Sequence, residues 1–226
     1  MDYKKLFHKE EAFQRETFQK RMEEFGFKNM ARMELFLWDL ELFLHIQKIL
    51  GDKIILKGGA ATQFYLPRDA QRTSVDIDML FFGTEEEIKE TLRKIEEYLG
   101  TEDELFYFHK HSPKNPKTNL PLHTYYMKVP SVLSNAERNM DRESIPYQEL
   151  KIEFILQPEK WEYDRRTGEN IYAVNSSWNY QILPLNYLFA DKLTTLGCNT
   201  IGVQNERLDE QVKQFYDIMM LSRNCI

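Results

Sequence analysis

Two aspartates separated by a single residue, Asp76 and Asp78, stand in the segment Arg-Thr-Ser-Val-Asp-Ile-Asp at residues 72–78. In a β-strand, side chains two positions apart point to the same face, so both carboxylates lie together while Ile77 turns to the core. Two like charges this close are costly without a cation between them, and hard divalent metal ions take oxygen ligands. The spacing therefore predicts a divalent metal site on this strand.

A glycine pair precedes this segment. Gly58 and Gly59 follow the apolar run 54–56 and come before residues 60–65, so the chain reads as a strand that turns into a helix. Such a turn presents backbone N–H groups at a helix N-terminus, where phosphate groups bind well. Together with the two aspartates, the glycines indicate chemistry on a phosphate-bearing substrate.

A third carboxylate is expected on a neighbouring strand, since a metal ion clamped on a triphosphate gains a further ligand. Glu153 is the best candidate because it is the only acidic residue in the apolar run 150–156, where an unpaired carboxylate would be expensive. The alternative is an ion pair within the sheet with Lys151, which shares its face. Both interpretations of Glu153 stay open at this point.

Two charged residues near the C-terminus are further candidates. Lys192 lies on the apolar stripe of a predicted helix, which favours a cavity that holds negative charge, although the side chain could instead extend to the surface. Asp217 stands one helical turn after Lys213, and a surface ion pair explains both residues adequately.

Arg72 and Ser74 continue the alternation of Asp76 and Asp78. If the strand begins that early, all four side chains share one face, and Arg72 contacts phosphate oxygens or holds an aspartate in place. The alternative is a solvated loop over residues 67–73.

Composition excludes several broad classes. The 226 residues carry a net charge of −6 and a pI near 5.5, which argues against a general nucleic-acid-coating protein. No acidic residue occurs between Glu104 and Glu137, where lysines, histidines and aromatic residues alternate; this window suits a nucleic acid or a triphosphate tail, or is a solvated loop. No run reaches the length of a membrane span and the N-terminus lacks a signal peptide, which favours a cytoplasmic protein.

The apolar patterns predict an α/β (α+β) fold, with a mixed sheet flanked by helices and a helical C-terminal part. We place a nucleotidyltransferase-like domain with N-terminal helices at residues 1–180 and the helical part at residues 181–226. Predicted helices cover residues 4–25, 33–50, 85–99, 184–196 and 209–223. Predicted strands cover residues 54–56, 74–82, 105–108, 122–129, 150–156 and 170–174.

The motifs, taken in order, resemble the AbiEii/AbiGii family of nucleotidyltransferase-like toxins, which is similar in fold to nucleotidyltransferases of the DNA polymerase β type. The resemblance covers about residues 50 to 222. It rests on Lys57-Gly58-Gly59-Ala60, Arg72-x-Ser74-x-Asp76-Ile77-Asp78, Leu150-Lys151-Ile152-Glu153, Ala190-Asp191-Lys192-Leu193 and Lys213-Gln214-Phe215-Tyr216-Asp217.

The resemblance implies a magnesium- or manganese-dependent enzyme that moves a nucleoside monophosphate from a nucleoside triphosphate to an acceptor hydroxyl, such as the 3′ end of tRNA. It also implies a role as the toxin of a toxin–antitoxin or abortive-infection system, with an antitoxin as partner. Many nucleotidyltransferases have Gly-Ser where this chain has Gly58-Gly59, which removes a hydroxyl ligand for phosphate. A protein that binds a nucleotide or an antitoxin without turnover is the alternative.

These expectations assign roles to ten residues. Asp76, Asp78 and Glu153 are expected to hold the metal ion. The expected catalytic residues are Asp76, Asp78, Glu153, Lys192 and Asp217. The expected nucleotide-binding residues are Lys57, Gly58, Gly59, Arg72, Ser74 and Lys192.

Overall fold

The computed structural model describes residues 2–112, 121–134, 136–138, 147–197 and 208–225. Six α-helices and seven strands lie in these ranges. The helices are α1 Arg15–Phe25, α2 Met30–Leu50, α3 Gly58–Gln63, α4 Glu85–Leu99, α5 Leu185–Thr194 and α6 Leu208–Asn224. The strands are β1 Ile54–Lys57, β2 Asp76–Phe81, β3 Phe108–Lys110, β4 Leu122–Pro130, β5 Tyr147–Leu156, β6 Asp164–Gly168 and β7 Ser176–Ile182.

The seven strands form one mixed sheet in the order β3-β4-β5-β2-β1-β7-β6. β2 runs parallel to β5 and antiparallel to β1, and β1 runs parallel to β7. Along β2, Ile77, Met79 and Phe81 are fully buried, whereas Asp76 and Asp78 on the other face are partly exposed. The period of two thus divides the central strand into a core side and a side that carries carboxylates.

Helices α2 and α4 cover the sheet and complete the core. α2 contacts β1, β2, β5 and β7, and it also contacts α4. In α4 the apolar residues Ile88, Leu92 and Ile95 are buried at helical spacing. A capping box between Thr84 and Glu87 fixes where α4 begins, and Gly100 follows its last residue.

Glu41 of α2 anchors the N-terminal segment. Its carboxylate accepts hydrogen bonds from the backbone N–H groups of Phe7 and His8 at 2.7 and 2.9 Å, and it lies 2.6 Å from His8 Nδ1 and 3.0 Å from His45 Nε2. Burial acts to raise the pKa of Glu41, but the bonds to His45 and His8 outweigh it and hold this pKa at about 2. A buried acid therefore fastens the chain before α1 to the core.

The described structure departs from the predicted elements at several places. Residues 4–14 form no α-helix, because the N–H groups of Phe7 and His8 bind Glu41, and α1 begins at Arg15. The prediction of a strand over residues 170–174 was wrong: this segment forms turns, with the N–H of Val174 bonded to the carbonyl of Ile171, and strands β6 and β7 lie on either side of it.

Smaller shifts affect other edges. The strand predicted over residues 105–108 instead covers Phe108–Lys110, since Phe106 has a φ of +57° that a strand does not allow. The other predicted elements differ from the observed ones by no more than three residues at either end. None of the helices in the described part of the chain is long and apolar enough to cross a membrane.

Candidate active site

Asp78 and Glu153 face each other across the middle of the sheet. β2 and β5 are parallel, and Asp78 is the register partner of Glu153. Glu153 forms an ion pair of 2.8 Å with Lys151 and accepts a bond of 3.2 Å from Thr124 Oγ1. Glu153 therefore pairs with Lys151, as one interpretation predicted, and it also stands beside Asp78; its role as a metal ligand stays a prediction.

The environment of the pair changes the proton affinity of Asp78. Burial is the largest cause and the neighbouring Glu153 the next, and together they raise the pKa of Asp78 to about 7, against the opposing charge of Lys57. For Glu153, burial raises the pKa but Lys151 outweighs it, so the net shift is downward. Two neighbouring carboxyl groups are a natural place for a cation with oxygen ligands.

Asp76 is partly exposed at the first position of β2, where its register partner is Lys151. The described residues contain no group of three or more His, Cys, Asp or Glu side chains arranged to hold a metal ion. The oxygen donors that fit a divalent cation best are thus the neighbouring carboxylates of Asp78 and Glu153. The assignment of Asp76 as a third metal ligand stays a prediction.

Gly58 stands directly against Asp78. Its φ of +68° lies in the left-handed region, and a Cβ atom built on it would lie 2.1 Å from Asp78 Oδ2. A Cβ atom on Gly59 would lie 2.9 Å from both Arg72 Nη2 and Ser74 Oγ. The hydroxyl of Ser74 and the guanidinium of Arg72 thus fill the space that a side chain at position 59 would need.

Lys57 lies at the C-terminal end of β1, beside Asp78 in the antiparallel register. Its Nζ atom forms an ion pair of 2.7 Å with Asp191 Oδ1 on α5. The lysine is therefore held next to the glycine turn and the carboxylate pair by a residue 134 positions later in the chain.

Three predicted site residues form one buried network. Asp217 of α6 is fully buried and accepts two bonds from Arg72, Nε to Oδ1 at 2.7 Å and Nη2 to Oδ2 at 2.6 Å. Lys192 Nζ lies 2.9 Å from Asp217 Oδ2 and donates a bond of 2.9 Å to Gln214 Oε1. This network ties α5 and α6 to the segment that leads into β2.

The network overturns three of the alternatives drawn from the sequence. Asp217 is not a surface partner of Lys213, because it is fully buried between Arg72 and Lys192. Lys192 does not extend to the surface, since only 3% of it is exposed. Arg72 and Ser74 do not belong to β2, because the backbone N–H of Arg72 bonds to Gln63 Oε1 and not to a neighbouring strand. Arg72 nevertheless has a defined partner in Asp217.

A cavity of about 690 Å³ brings much of this set together, and its size suits a small-molecule site. Its wall includes five of the predicted site residues, namely Lys57, Gly58, Asp78, Glu153 and Lys192. The other five predicted residues, Gly59, Arg72, Ser74, Asp76 and Asp217, are not part of this wall; Ser74 is buried, and Gly59 is packed against it.

The basic window has a weaker claim to bind an anion. Lys110 pairs with Glu85 and Lys128 with Glu104, so their charges are already balanced. His123 Nδ1 also lies 3.6 Å from Glu85. Lys114 and Lys117 lie outside the described residues.

Sequence reasoning missed two acidic residues near this site. Asp191 holds Lys57, and Asp39 of α2 is 1% exposed with no hydrogen-bond partner for either oxygen within the described structure. Burial, followed by the charges of Asp76 and Asp78, raises the pKa of Asp39 well above its usual range. The available signal was an acid inside the run Leu-Trp-Asp-Leu of an otherwise apolar helix.

Comparisons with solved structures find proteins of similar fold. Among solved structures, JHP933 from Helicobacter pylori is similar with a TM-score of 0.55 and 14% identity, over 88% of this chain and 69% of that one. A second Helicobacter pylori protein, a candidate nucleotidyltransferase, has a TM-score of 0.51 and 17% identity, over 85% and 70%. At these identities the likeness concerns the fold. Comparison with curated proteins finds no significant match.

One family model covers most of the chain. The model described as "Nucleotidyl transferase AbiEii toxin, Type IV TA system" matches residues 42–226, a range that includes every predicted site residue. It confirms the family that the motifs resemble, and the mixed sheet with its flanking helices confirms the predicted fold class. The chain therefore belongs to the AbiEii family of nucleotidyltransferase toxins of type IV toxin–antitoxin systems.

Proposed function

We propose that this nucleotidyltransferase moves a nucleoside monophosphate from a nucleoside triphosphate to an acceptor hydroxyl, with magnesium or manganese as cofactor. The observation that carries the proposal is the Asp78–Glu153 carboxylate pair, which lines the same cavity as Lys57, Gly58 and Lys192. Acidic oxygens for a cation and basic groups for an anion at one wall are what a metal-bound triphosphate requires.

Asp78 and Glu153, together with Asp76, would hold the metal ion. When bound, the ion neutralises charge on the phosphate oxygens and draws electron density from the phosphorus atom under attack. The donor set supports this assignment, because the pair consists of hard oxygen ligands, and burial followed by the charge of Glu153 raises the pKa of Asp78.

The basic residues orient the triphosphate. Gly58 leaves the turn open where any side chain would collide with Asp78, so the backbone admits a phosphate close to the carboxylates. Lys57 and Lys192 carry the positive charge on this wall, and Arg72 supports Lys192 through their shared partner Asp217. Nucleotide contact is thus assigned to Lys57, Gly58 and Lys192, which line the cavity. Gly59, Ser74 and Arg72 support this wall, and Asp217 positions Arg72 and Lys192.

The reaction needs little covalent chemistry from the protein. The acceptor oxygen forms a bond to the α-phosphorus, the bond from that phosphorus to the oxygen bridging to the β-phosphate breaks, pyrophosphate leaves, and the hydroxyl proton passes to water. The contribution of the chain is to align the two substrates and to stabilise the charge that develops on the phosphate oxygens.

The acceptor that we favour is an RNA end, such as the 3′ end of tRNA, and the partner that controls the toxin is a cognate antitoxin in the cytoplasm. Membership of a toxin–antitoxin family supports the antitoxin. The RNA rests on the basic and aromatic window, whose described lysines are paired, and therefore has less support than the transfer reaction itself.

A labelling experiment tests the proposal. The protein is incubated with Mg²⁺, total tRNA and each of the four triphosphates, labelled at the α-phosphate in one series and at the γ-phosphate in another. We expect label in RNA only from an α-labelled triphosphate, with release of pyrophosphate. Label from the γ-position would identify a phosphotransferase instead, and tight triphosphate binding without transfer to any acceptor would identify a binding protein without turnover.

A further inference from the structure

Trp161 and Tyr187 form an aromatic corner in the wall of this cavity. Their ring centroids lie 5.4 Å apart in an edge-to-face arrangement, and both rings line the cavity. Tyr187 is 44% exposed, so much of its ring is accessible. An accessible aromatic pair in the wall of a cavity is a potential stacking surface for a flat ligand.

The floor of the cavity changes from acidic to aliphatic side chains at the same position along two neighbouring strands. β2 and β5 are parallel and in register, with Asp78 opposite Glu153 and Leu80 opposite Ile155. All four side chains line the cavity, so its floor passes from carboxylates to aliphatic groups over two residues, about 7 Å. One end therefore suits a charged group and the other an apolar ring.

Helix α5 spans both ends of the cavity. Tyr187, Ala190, Asp191 and Thr194 follow a spacing of three, four and seven residues, so one face of the helix lines the cavity. Asp191 holds Lys57 next to the glycine turn, and Tyr187 lies one helical turn before Asp191 on that same face. The aromatic corner and the cationic end are thus fixed relative to each other by a single helix.

We infer that Trp161 and Tyr187 bind the nucleobase of the triphosphate whose phosphates lie at Lys57 and Gly58. A ligand with a flat heteroaromatic ring at one end and an anionic tail at the other matches the aromatic and charged parts of the cavity wall. The inference rests on the proposed function, and it adds the residues that recognise the base. Stacking on aromatic rings accepts any of the four bases, since every base has a π-face.

Calorimetry on the full chain tests this inference with two kinds of ligand. The Kd is measured for each nucleoside triphosphate and for inorganic tripolyphosphate, all with Mg²⁺, on the wild type, Tyr187→Ala and Tyr187→Phe. Loss of one stacking ring should raise the Kd of the triphosphates roughly 5- to 150-fold and leave that of tripolyphosphate unchanged. Tyr187→Phe keeps the ring and should behave as the wild type.

The matched control is Tyr98→Ala. Tyr98 is 45% exposed on α4, close to the 44% of Tyr187, and it does not line the cavity, so its loss should change neither Kd. The inference is wrong if Tyr187→Ala leaves the triphosphate Kd unchanged, if it weakens tripolyphosphate equally, or if the wild type binds no triphosphate. If Tyr187→Ala weakens triphosphates but not tripolyphosphate, and no label reaches any acceptor, the inference stands and only the proposed reaction is contradicted.

A second measurement does not depend on the folding of Tyr187→Ala. If a base stacks on Trp161, a nucleoside triphosphate should quench part of the intrinsic fluorescence, and tripolyphosphate should not. Trp161→Phe should abolish this quenching, while Trp178→Phe, which replaces a tryptophan packed on Phe7, should preserve it. Quenching that persists in Trp161→Phe would overturn the inference.

Discussion

Asp217→Asn should destabilise the protein because it leaves two buried or partly buried cations without their counter-charge. The carboxylate is fully buried, the Lys192 side chain is 4% exposed and the Arg72 side chain 21% exposed. Removing one partner of a buried ion pair typically costs about 3–5 kcal/mol, and the partial exposure of Arg72 favours the lower end, about 3 kcal/mol. With a urea m-value near 2–3 kcal/mol/M, the unfolding midpoint should fall by roughly 1 M.

The assay is urea unfolding followed by circular dichroism and by fluorescence, so that coincident transitions verify two-state behaviour. Glu90→Gln is the control, because Glu90 also pairs with an arginine, Arg93, but both side chains are about half exposed, and no measurable change is expected. Adding Lys192→Met to Asp217→Asn should cost less than the sum of the single effects, since it removes an orphaned cation. A midpoint shift no larger than that of the control would refute the reasoning.

The remaining predictions concern the turn and two carboxylates. Gly58→Ala should abolish transfer and cost about 2 kcal/mol or more in thermal unfolding, because its φ is +68° and the new Cβ would meet Asp78. Gly59→Ser should lower activity and not raise it, since Ser74 already fills that space; higher activity would contradict this packing. Asp78 keeps a proton in the folded state up to about pH 7, while the unfolded chain releases it near 3.8. The wild type should therefore lose stability relative to Asp78→Asn as pH rises through this window, by on the order of 4 kcal/mol; a constant difference between pH 4 and 8 would be inconsistent with it. For Glu41, whose pKa in the folded state is about 2, the sign is opposite: its carboxylate stabilises the fold fully above pH 4.5, and this stabilisation is lost as pH falls to 2. The difference in unfolding free energy between wild type and Glu41→Gln, measured by denaturant titration, should therefore narrow over that range.

Local signals were sufficient for much of the fold. The sequence predicted α4 at its observed limits, because its capping box, apolar spacing and terminal glycine all agree. The strand predicted over residues 170–174 was wrong, because an apolar run such as Ile-Tyr-Ala-Val fits a buried turn as well as it fits a strand. Tyr172 there stacks on Phe27 at 4.1 Å and is 1% exposed, so the segment is part of the core although it forms no strand.

Part of the candidate site could also be predicted from local signals in the sequence. Lys192 and Glu153 are charges at apolar positions, and both line the cavity with Asp78. The partner of Asp217 was not readable, because Arg72 stands 145 residues away and only the folded chain brings them together. Trp161 and Tyr187 gave no signal either, since isolated aromatic residues are common in cores and on surfaces.

The most direct test of the central claim separates nucleotide binding from transfer in Asp78→Asn, a variant of nearly unchanged shape. Label from an α-labelled triphosphate into tRNA and pyrophosphate release are measured together for this variant, the wild type and Glu90→Gln. We expect equal amounts of label and pyrophosphate from the wild type and Glu90→Gln, and loss of both in Asp78→Asn while tripolyphosphate still binds. Undiminished transfer by Asp78→Asn would contradict the assignment of the Asp78–Glu153 pair as the catalytic centre.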